Sequence, residues 1–264
     1  MKPSILITGA YGGMGKATAE ELCHNGYRVF ALDKTVGEGD ENIIPIEADI
    51  TDEQSVINAF SKVSALTDGL FAIIHFAGVY MLDSMAEMGK ADFERIFKVN
   101  VEGAFLVNKI FLPLMQKGSR ILITTSELAP LDPLPFTGIY AVTKSALDKY
   151  AYSLRMELQL LDIKVSVLRA GAVTTSMLGV STNALDKFCE KTELYKCNAD
   201  RFKSIVEKIE ARSAAPSEIA KKALRILHKK SPKFAYTLNR NPLLLMLNAL
   251  PKNLQFWIIK QILK

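Results

Sequence analysis

The chain has 264 residues, of which 49% are hydrophobic and 23% are charged, and its formal net charge is +5. This length and apolar content allow a large buried core, so they exclude a disordered protein and favour one α/β domain. The three cysteines form no CxxC pair and no metal-ligand spacing, which predicts no metal site and reduced thiols in the cytoplasm.

Short apolar runs alternate along the chain with longer helical patterns, which is the pattern of βαβ units and a parallel sheet. The predicted strands are Ser4–Thr8, Tyr27–Asp33, Ile43–Glu47, Leu70–His75, Arg120–Thr125, Lys164–Leu168 and Lys233–Leu238. The predicted helices are Gly13–Asn25, Asp52–Ala65, Ala91–Gln116, Ile139–Leu161 and Ala199–Lys229.

Two local signals refine this pattern. Thr51 and Gln54 have the spacing of a capping box, which predicts that Thr51 caps the second helix. Pro45 cannot donate to a strand ladder, so the third strand is expected at an edge of the sheet. That position agrees with strand order 3-2-1-4-5-6. The predicted fold class is therefore α/β, a Rossmann-type doubly wound parallel sheet flanked by helices, with a C-terminal helical extension.

A glycine-rich loop, Thr8-Gly9-Ala10-Tyr11-Gly12-Gly13-Met14-Gly15, joins the first predicted strand to the first predicted helix. Glycines at such a turn let a pyrophosphate approach the backbone and rest on the helix N-terminus. Asp33 closes the second strand, where a carboxylate accepts hydrogen bonds from the ribose of an adenosine. Because that carboxylate would repel a 2′-phosphate, the sequence favours NAD as the cofactor. Lys16 and Lys34 keep NADP open as the alternative.

Together with further motifs, this loop resembles the short-chain dehydrogenase/reductase family over roughly residues 3–240. The family's TGxxxGxG pattern is met at Thr8–Gly15 and its YxxxK pattern at Tyr140–Lys144. Ser126 and Asn100 correspond to the family's active-site serine and helix asparagine. The resemblance implies a dinucleotide-binding domain over residues 1–240.

Three positions depart from the family pattern. The usual Asn-Asn-Ala-Gly after the fourth strand reads His75-Phe76-Ala77-Gly78. Ala170 stands where a proline is usual, which predicts a looser loop after the sixth strand. Ser126 precedes Tyr140 by fourteen residues, one more than the family spacing.

The resemblance also implies which residues form the site. The implied catalytic residues are Asn100, Ser126, Tyr140 and Lys144. The implied cofactor-binding residues are Gly9, Tyr11, Gly13, Met14, Gly15, Asp33, Asp49, Ile50, Ala77, Gly78, Tyr140, Lys144, Val173 and Thr175. The implied substrate-binding residues are Tyr80, Ser126, Leu128, Tyr140 and Met177.

Tyr140 and Lys144 stand four residues apart on one predicted helix and therefore share a face. A free phenol has a pKa near ~10, and lowering it to neutrality needs about 4 kcal/mol. One ammonium at about 4 Å supplies about 4 kcal/mol at an effective dielectric constant of ~20. The pair therefore predicts that Tyr140 is the acid–base group of a hydride transfer between nicotinamide and a carbonyl or secondary alcohol.

Two further polar residues, Asn100 and His75, can each be interpreted in two ways. By resemblance Asn100 supports a water-linked proton relay, whereas its place on an apolar helix stripe also fits a structural amide bonded to backbone. His75 ends a buried strand, and a satisfied histidine in the core or beside the cofactor is favoured over a catalytic base.

The segments that wall the substrate pocket in this family are mostly apolar here, which suits a hydrophobic ketone or alcohol. The Leu134-Pro135-Phe136 stretch and Leu250-Pro251 resemble the hydroxysteroid and retinol dehydrogenase branch. A NAD-linked hydroxysteroid dehydrogenase is the leading hypothesis. The alternatives are an NADPH-dependent reductase of a fatty-acyl, retinoid or xenobiotic carbonyl, and a non-catalytic dinucleotide-sensing protein of the same fold.

The C-terminal part of the chain is basic: residues 219–264 contain ten Lys or Arg and no Asp or Glu. Residues 241–264 are expected to form an apolar and basic helical tail on the same domain, too short and broken to span a bilayer. The tail either packs over the substrate cleft or a dimer contact, or lies at a membrane interface, because Trp257 and lysines stand beside apolar residues. No recognition motif for nucleic acid accompanies it. The family resemblance implies a homodimer or homotetramer through the fourth and fifth helices.

Overall fold

The computed structural model describes residues 2–174, 176–210 and 213–264, without the side chains of residues 176–183 and 207–210. The strands are β1 Ser4–Thr8, β2 Arg28–Asp33, β3 Ile43–Glu47, β4 Leu70–His75, β5 Met115–Ser126, β6 Lys164–Ala170 and β7 Ala235–Leu238. The α-helices are α1 Gly13–His24, α2 Glu53–Ser64, α3 Lys90–Phe97, α4 Gly103–Phe111, α5 Gly138–Leu158, α6 Ser176–Lys191, α7 Lys196–Glu210, α8 Pro216–Leu227, α9 Pro242–Ala249 and α10 Lys252–Leu263.

The strands form one parallel sheet of order β3-β2-β1-β4-β5-β6-β7, with helices on both faces. The predicted doubly wound fold is confirmed, and β7 extends the sheet beyond β6. Pro45 lies in β3 opposite Ala31, and β3 is an edge strand as predicted.

Each central strand contributes alternate side chains to two hydrophobic cores, one on either face of the sheet. In β1, Leu6 packs with α2, α4 and α5, whereas Ile5 and Ile7 pack with α1 and α8. All three side chains are fully buried. Burial on both faces explains why these strands appear in the sequence as unbroken apolar runs rather than as alternating patterns.

The predicted helix Ala91–Gln116 is interrupted. After α3 the chain makes a π-helical turn over Lys98–Glu102, continues as α4, and passes through a short 3₁₀ turn into β5. Asn100 lies in the wide π turn, where its side chain bonds to two other parts of the chain. Such turns are rare and occur often at functional sites.

Two other helix predictions need correction, and one helix has no counterpart in the prediction. Asp52 caps α2, because its carboxylate accepts the Gln54 N–H at 3.0 Å, whereas the Thr51 hydroxyl donates to Asp49. The predicted helix Ala199–Lys229 is two helices, α7 and α8. Pro216 stands in the first turn of α8, where its lack of an N–H removes no hydrogen bond within the helix. Helix α6 was not predicted.

A buried ion pair fixes α5 to the sheet. Arg169 of β6 donates to both carboxylate oxygens of Asp148 on α5, at 3.0 and 2.7 Å. The Thr125 hydroxyl of β5 donates to the same carboxylate at 3.2 Å. The Asp148 side chain is only 8% exposed, so its charge depends on these donors. Because α5 carries Tyr140 and Lys144, this pair positions both.

Replacing Asp148 with Asn is expected to lower the free energy of unfolding by about 2 kcal/mol, because the largely buried Arg169 loses its counter-charge. Urea unfolding monitored by circular dichroism measures this loss. Asp92→Asn is the control, since Asp92 pairs with Arg95 on an exposed helix surface and should change stability by less than about 0.5 kcal/mol. Equal effects of the two substitutions would contradict the proposed role of the pair.

Candidate active site

A cavity of about 890 Å³ opens at the carboxyl ends of β1, β2 and β4. Ligands of doubly wound sheets bind at this edge, and the volume lies within the range of pockets that bury small molecules. The predicted cofactor residues that line it are Gly9, Tyr11, Gly13, Met14, Gly15, Asp33, Asp49, Ile50, Ala77 and Gly78.

The glycine loop folds tightly on itself and on the end of β4. Gly9 has a φ of +68°, and a Cβ there would lie 2.5 Å from the Ala77 nitrogen. A Cβ on Gly15 would lie 2.0 Å from the Gly9 carbonyl oxygen. Neither position can accept a side chain, so the backbone itself forms the floor of the cavity above the N-terminus of α1. This arrangement can hold a pyrophosphate.

Carboxylates at the end of β2 and after β3 mark one end of the larger cavity. Asp33 accepts the backbone N–H groups of Tyr11 and Lys34, at 2.9 and 2.8 Å, which fixes its orientation. The Lys34 ammonium bonds to Asp49 at 2.8 Å, and this bond is the main reason why the pKa of Asp49 is lowered to about 2. The charge of Lys34 is therefore already matched by a carboxylate.

A second cavity, of about 240 Å³, adjoins the first, and both are lined by Met14, Phe76, Gly78 and Val79. The predicted site residues that line it are Tyr80, Ser126, Leu128, Tyr140, Lys144 and Val173. Thr175 and the side chain of Met177 lie outside the described residues. The serine, tyrosine and lysine thus meet beside the glycine-loop cavity, despite the extra residue between Ser126 and Tyr140.

Tyr140 and Lys144 project from α5 into this second cavity, but their electrostatics differ from the prediction. The Lys144 ammonium donates to the Thr124 carbonyl at 3.3 Å and lies 5.7 Å from the centre of the Tyr140 ring. Burial lowers the pKa of Lys144 to about 8. Burial, and to a lesser extent Tyr80, raises the pKa of Tyr140, although a hydrogen bond with Ser126 partly opposes that rise.

The expectation that Lys144 lowers the pKa of Tyr140 toward neutrality is therefore wrong for the chain by itself. The physical reason is that removal from water disfavours both charged forms, so the phenol holds its proton and the ammonium loses part of its charge. The chain alone presents Tyr140 as a proton donor rather than as a base.

Asn100 lies behind the junction of the two cavities and is almost completely buried. Its carbonyl oxygen accepts the Val79 N–H at 2.8 Å, and its amide donates to the Val79 carbonyl at 3.0 Å and to the Thr143 hydroxyl at 3.1 Å. These contacts match the structural interpretation, in which the amide bonds to backbone. Its part in a proton relay stays a prediction.

His75 forms part of a buried hydrogen-bonded chain beneath the site. Its Nε2 lies 2.9 Å from the Asn108 side-chain oxygen, and its Nδ1 lies 3.5 Å from the Thr8 hydroxyl. Burial lowers the pKa of His75 to about 4, so the ring is neutral at physiological pH. It is a satisfied core histidine, as favoured from the sequence.

The described residues of the loop after β6 are hydrogen-bonded to neighbouring segments. Gly171 donates to the Leu238 carbonyl at 2.9 Å, Asn239 donates through its side chain to the Ala172 carbonyl at 2.8 Å, and Thr174 donates to the Ala214 carbonyl at 2.8 Å. β7 and the segment before α8 thus supply hydrogen bonds to the loop at residues 171, 172 and 174, and the loosening expected from Ala170 stays a prediction.

Several residues of the smaller cavity were not predicted. Glu127 follows Ser126, and its carboxylate accepts the Asn241 N–H at 2.6 Å while burial raises its pKa. Among the side chains that the structure describes, the Thr124 hydroxyl is buried without a hydrogen-bond partner. The unpredicted apolar wall consists of Phe202, Ile205 and Val206 of α7 and Leu244 of α9.

Comparison with known proteins matches these features. A sequence model of the family described as "short chain dehydrogenase" matches residues 3–186. Estradiol 17-beta-dehydrogenase 2 of Mus musculus is 32% identical over 189 residues, which cover 67% of this chain and 49% of that protein. The chain thus spans about half the length of this relative. A 3-ketodihydrosphingosine reductase of Bacteroides thetaiotaomicron is 25% identical over 236 residues, which cover 89% of this chain and 87% of that protein.

Solved structures show the same fold. A short chain dehydrogenase family protein from Francisella tularensis superposes with a TM-score of 0.76 at 22% identity, covering 90% of this chain and 97% of that one.

The lowered pKa of Lys144 predicts a dependence of stability on pH. An unfolded lysine has a pKa near ~10.4, so between about pH 8 and pH 10 the unfolded chain binds more protons and stability rises with pH. Lys144→Met removes this titration. The variant should be more stable than the wild type by about 2 kcal/mol near pH ~7.5, and this excess should largely vanish near pH ~10.

Chemical unfolding of the ligand-free protein at several pH values measures this difference. Lys149→Met on the exposed side of the same helix is the control and should track the wild type throughout. A constant difference between Lys144→Met and the wild type would show that Lys144 keeps an ordinary pKa.

Proposed function

This chain belongs to the short-chain dehydrogenase family of oxidoreductases, and we propose that it transfers a hydride between NAD(H) and a hydrophobic secondary alcohol or ketone. One observation carries the proposal: the cavity lined by the glycine loop meets the cavity lined by Ser126, Tyr140 and Lys144. A dinucleotide in the first and a substrate in the second would bring the two reacting carbons together at the shared wall. Such positioning is a major part of catalysis.

The residues present fit a nicotinamide dinucleotide. Gly9 and Gly15 leave no room for a Cβ, so a pyrophosphate can approach the backbone, and Asp33 is oriented to accept ribose hydroxyls. The nicotinamide supplies the hydride acceptor or donor when it is bound. We favour NAD over NADP because Asp33 would repel a 2′-phosphate and because Asp49 already engages the Lys34 ammonium. NADP remains the alternative.

Tyr140 is the proposed acid–base group. Its raised pKa keeps the phenol protonated at neutral pH, so it can donate to the oxygen of a ketone as negative charge develops there. The hydroxyl of Ser126 would stabilise the same oxygen. With a pKa of about 8, Lys144 can release or take up a proton near neutrality and so can restore the proton of the phenol.

The proposed substrate is hydrophobic because the smaller cavity has a mainly apolar wall, including Tyr80, Leu128, Phe202 and Leu244. A hydroxysteroid is the first candidate, supported by the similarity to an estradiol dehydrogenase. A long-chain carbonyl is the second, supported by similarity to a 3-ketodihydrosphingosine reductase over a larger share of the chain. Glu127 brings a buried carboxylate to this wall, which favours substrates with a hydroxyl or an amine near the reacting carbon.

We further propose that the protein is a homodimer or homotetramer through α4 and α5. Both helices expose large apolar side chains, namely Phe105, Val142, Tyr152 and Met156. Such side chains are typical of surfaces that become covered by a partner. The cytoplasmic location stays a prediction.

Tyr140→Phe tests the reaction itself. The variant should reduce turnover by about 10²–10⁴-fold, because the proton donor is lost, while leaving the affinity for NADH measurable by fluorescence. Turnover is followed by nicotinamide absorbance against a panel of hydroxysteroids, retinoids, fatty alcohols and ketosphingoid bases. Tyr152→Phe, at an exposed tyrosine of the same helix, is the control and should keep full activity.

Retained turnover of Tyr140→Phe would contradict the assignment of the acid–base group. Binding of NADH without turnover of any panel member by the wild type would instead favour the non-catalytic dinucleotide-sensing protein.

Asp33→Asn tests the cofactor preference. Asparagine keeps an oxygen acceptor for the Tyr11 N–H but removes the charge, so the ratio of NAD to NADP affinity should fall at least about tenfold. Titration with both reduced cofactors measures the ratio. Asp68→Asn, at an exposed position before β4, is the control with the same change of charge. An unchanged ratio in Asp33→Asn would remove the basis for preferring NAD.

A further inference from the structure

One side of the two C-terminal helices is packed against the body of the protein. Leu244 of α9 lines the smaller cavity. Leu263 of α10 packs on the hydrophobic cluster that contains Phe202 of α7, and the Asn198 side chain donates to the Leu263 carbonyl at 2.5 Å. Gln255 is buried and donates to the carbonyls of Asn248 in α9 and of Leu250 between α9 and α10. These contacts agree with the interpretation in which the tail packs over the substrate cleft.

Other large apolar side chains of these two helices are exposed. In α9, Leu243 and Met246 are 66% and 67% exposed, and in α10, Phe256 and Trp257 are 66% and 59% exposed. The packed apolar side chains explain why the two helices are attached to the body of the protein. They do not explain why further large apolar side chains are exposed to solvent. Exposed apolar surface of this kind usually marks a binding site.

Cations share the exposed face of α10 with these aromatic side chains. Lys260 follows Phe256 by four residues and therefore lies on the same side of the helix, and Lys264 directly follows the end of α10. The sequence from residue 219 to residue 264 contains no acidic residue to compensate them. The exposed surface is thus both apolar and positively charged.

We propose that this tail face, formed by Leu243, Met246, Phe256, Trp257, Lys260 and Lys264, docks into the surface of a lipid bilayer that contains anionic lipids. Helices that lie in the interfacial plane combine apolar side chains that enter the acyl boundary with lysines that meet the headgroups. Tryptophan prefers the same depth. Of the helices in the described ranges, none combines the length and the apolar character needed to cross a bilayer, which agrees with a helix that lies on the surface.

A second copy of the chain fits the tail face less well. A symmetric dimer places the same patch of each subunit against the other, so Lys260 and Lys264 would meet like charges without an acidic residue from either tail. Lys252 is different, because it pairs with Asp132 on the body of the protein and is not part of the tail face. Charge complementarity therefore favours an anionic lipid surface.

Trp257 is the only tryptophan of the chain and reports docking directly. Full-length protein is mixed with vesicles of equimolar phosphatidylcholine and phosphatidylserine, and with vesicles of phosphatidylcholine alone. The first mixture should shift Trp257 emission to shorter wavelength, sediment the protein with the vesicles, and allow brominated lipid to quench the emission. Lys260→Gln combined with Lys264→Gln should weaken this binding by about 30-fold.

Phe256→Glu should abolish sedimentation with the vesicles, and Leu160→Glu, at an 83% exposed leucine remote in sequence from the tail, should not. Unchanged NADH affinity and melting temperature show that a variant is folded. If Phe256→Glu fails to fold, quenching of wild-type Trp257 by brominated lipid decides the question.

Three results would overturn the proposal. The first is that the wild type does not bind vesicles, and the second is that its binding is the same without phosphatidylserine and without the two lysines. The third is that Phe256→Glu binds vesicles as strongly as the wild type. A dimer that Phe256→Glu dissociates, without vesicle binding, would identify a second copy as the partner instead. None of these readouts depends on turnover, so they are separable from the proposed catalytic role.

Discussion

The side-chain amide of Asn100 uses both of its N–H groups and its carbonyl on the loop after β4 and on α5, and the junction between the two cavities depends on these bonds. Val79 lines both cavities and Thr143 precedes Lys144, so one buried side chain connects the wall shared by the cavities to the helix that carries Tyr140 and Lys144. The π turn that carries Asn100 is the local distortion that accompanies this arrangement. A buried amide with satisfied partners is rigid, because any rearrangement would leave polar groups unpaired.

Much of the sheet could be predicted because buried parallel strands are contiguous apolar runs, and β1, β3 and β4 begin and end where the sequence indicated. The helices were harder. The π turn between α3 and α4 carries Asn100, whose side chain bonds to residues far away in the sequence, and no local periodicity records such bonds. Motifs identified the residues that meet at the cavities, whereas Phe202 and Leu244 reach the smaller cavity only through the packing of α7 and α9.

The protonation states of Tyr140 and Lys144 were the least predictable property of the site. The spacing of Tyr140 and Lys144 gives their common helix face but not the surroundings of either group. The structure directs the Lys144 ammonium to the Thr124 carbonyl and buries the phenol beside Tyr80, and both shifts follow from removal from water. Spacing fixes which groups can interact, but the sign of a pKa shift depends on burial, which only the folded chain defines.

The hydrogen bond between Glu127 and the Asn241 N–H connects the start of α9 to the residue next to Ser126. A chain shortened before this point would keep every motif residue yet leave a buried carboxylate without its donor beside Ser126. The last two helices are therefore part of the same folded unit as the smaller cavity. Trimmed or fused versions of this protein need residues 241–249 if the carboxylate of Glu127 is to keep its backbone donor.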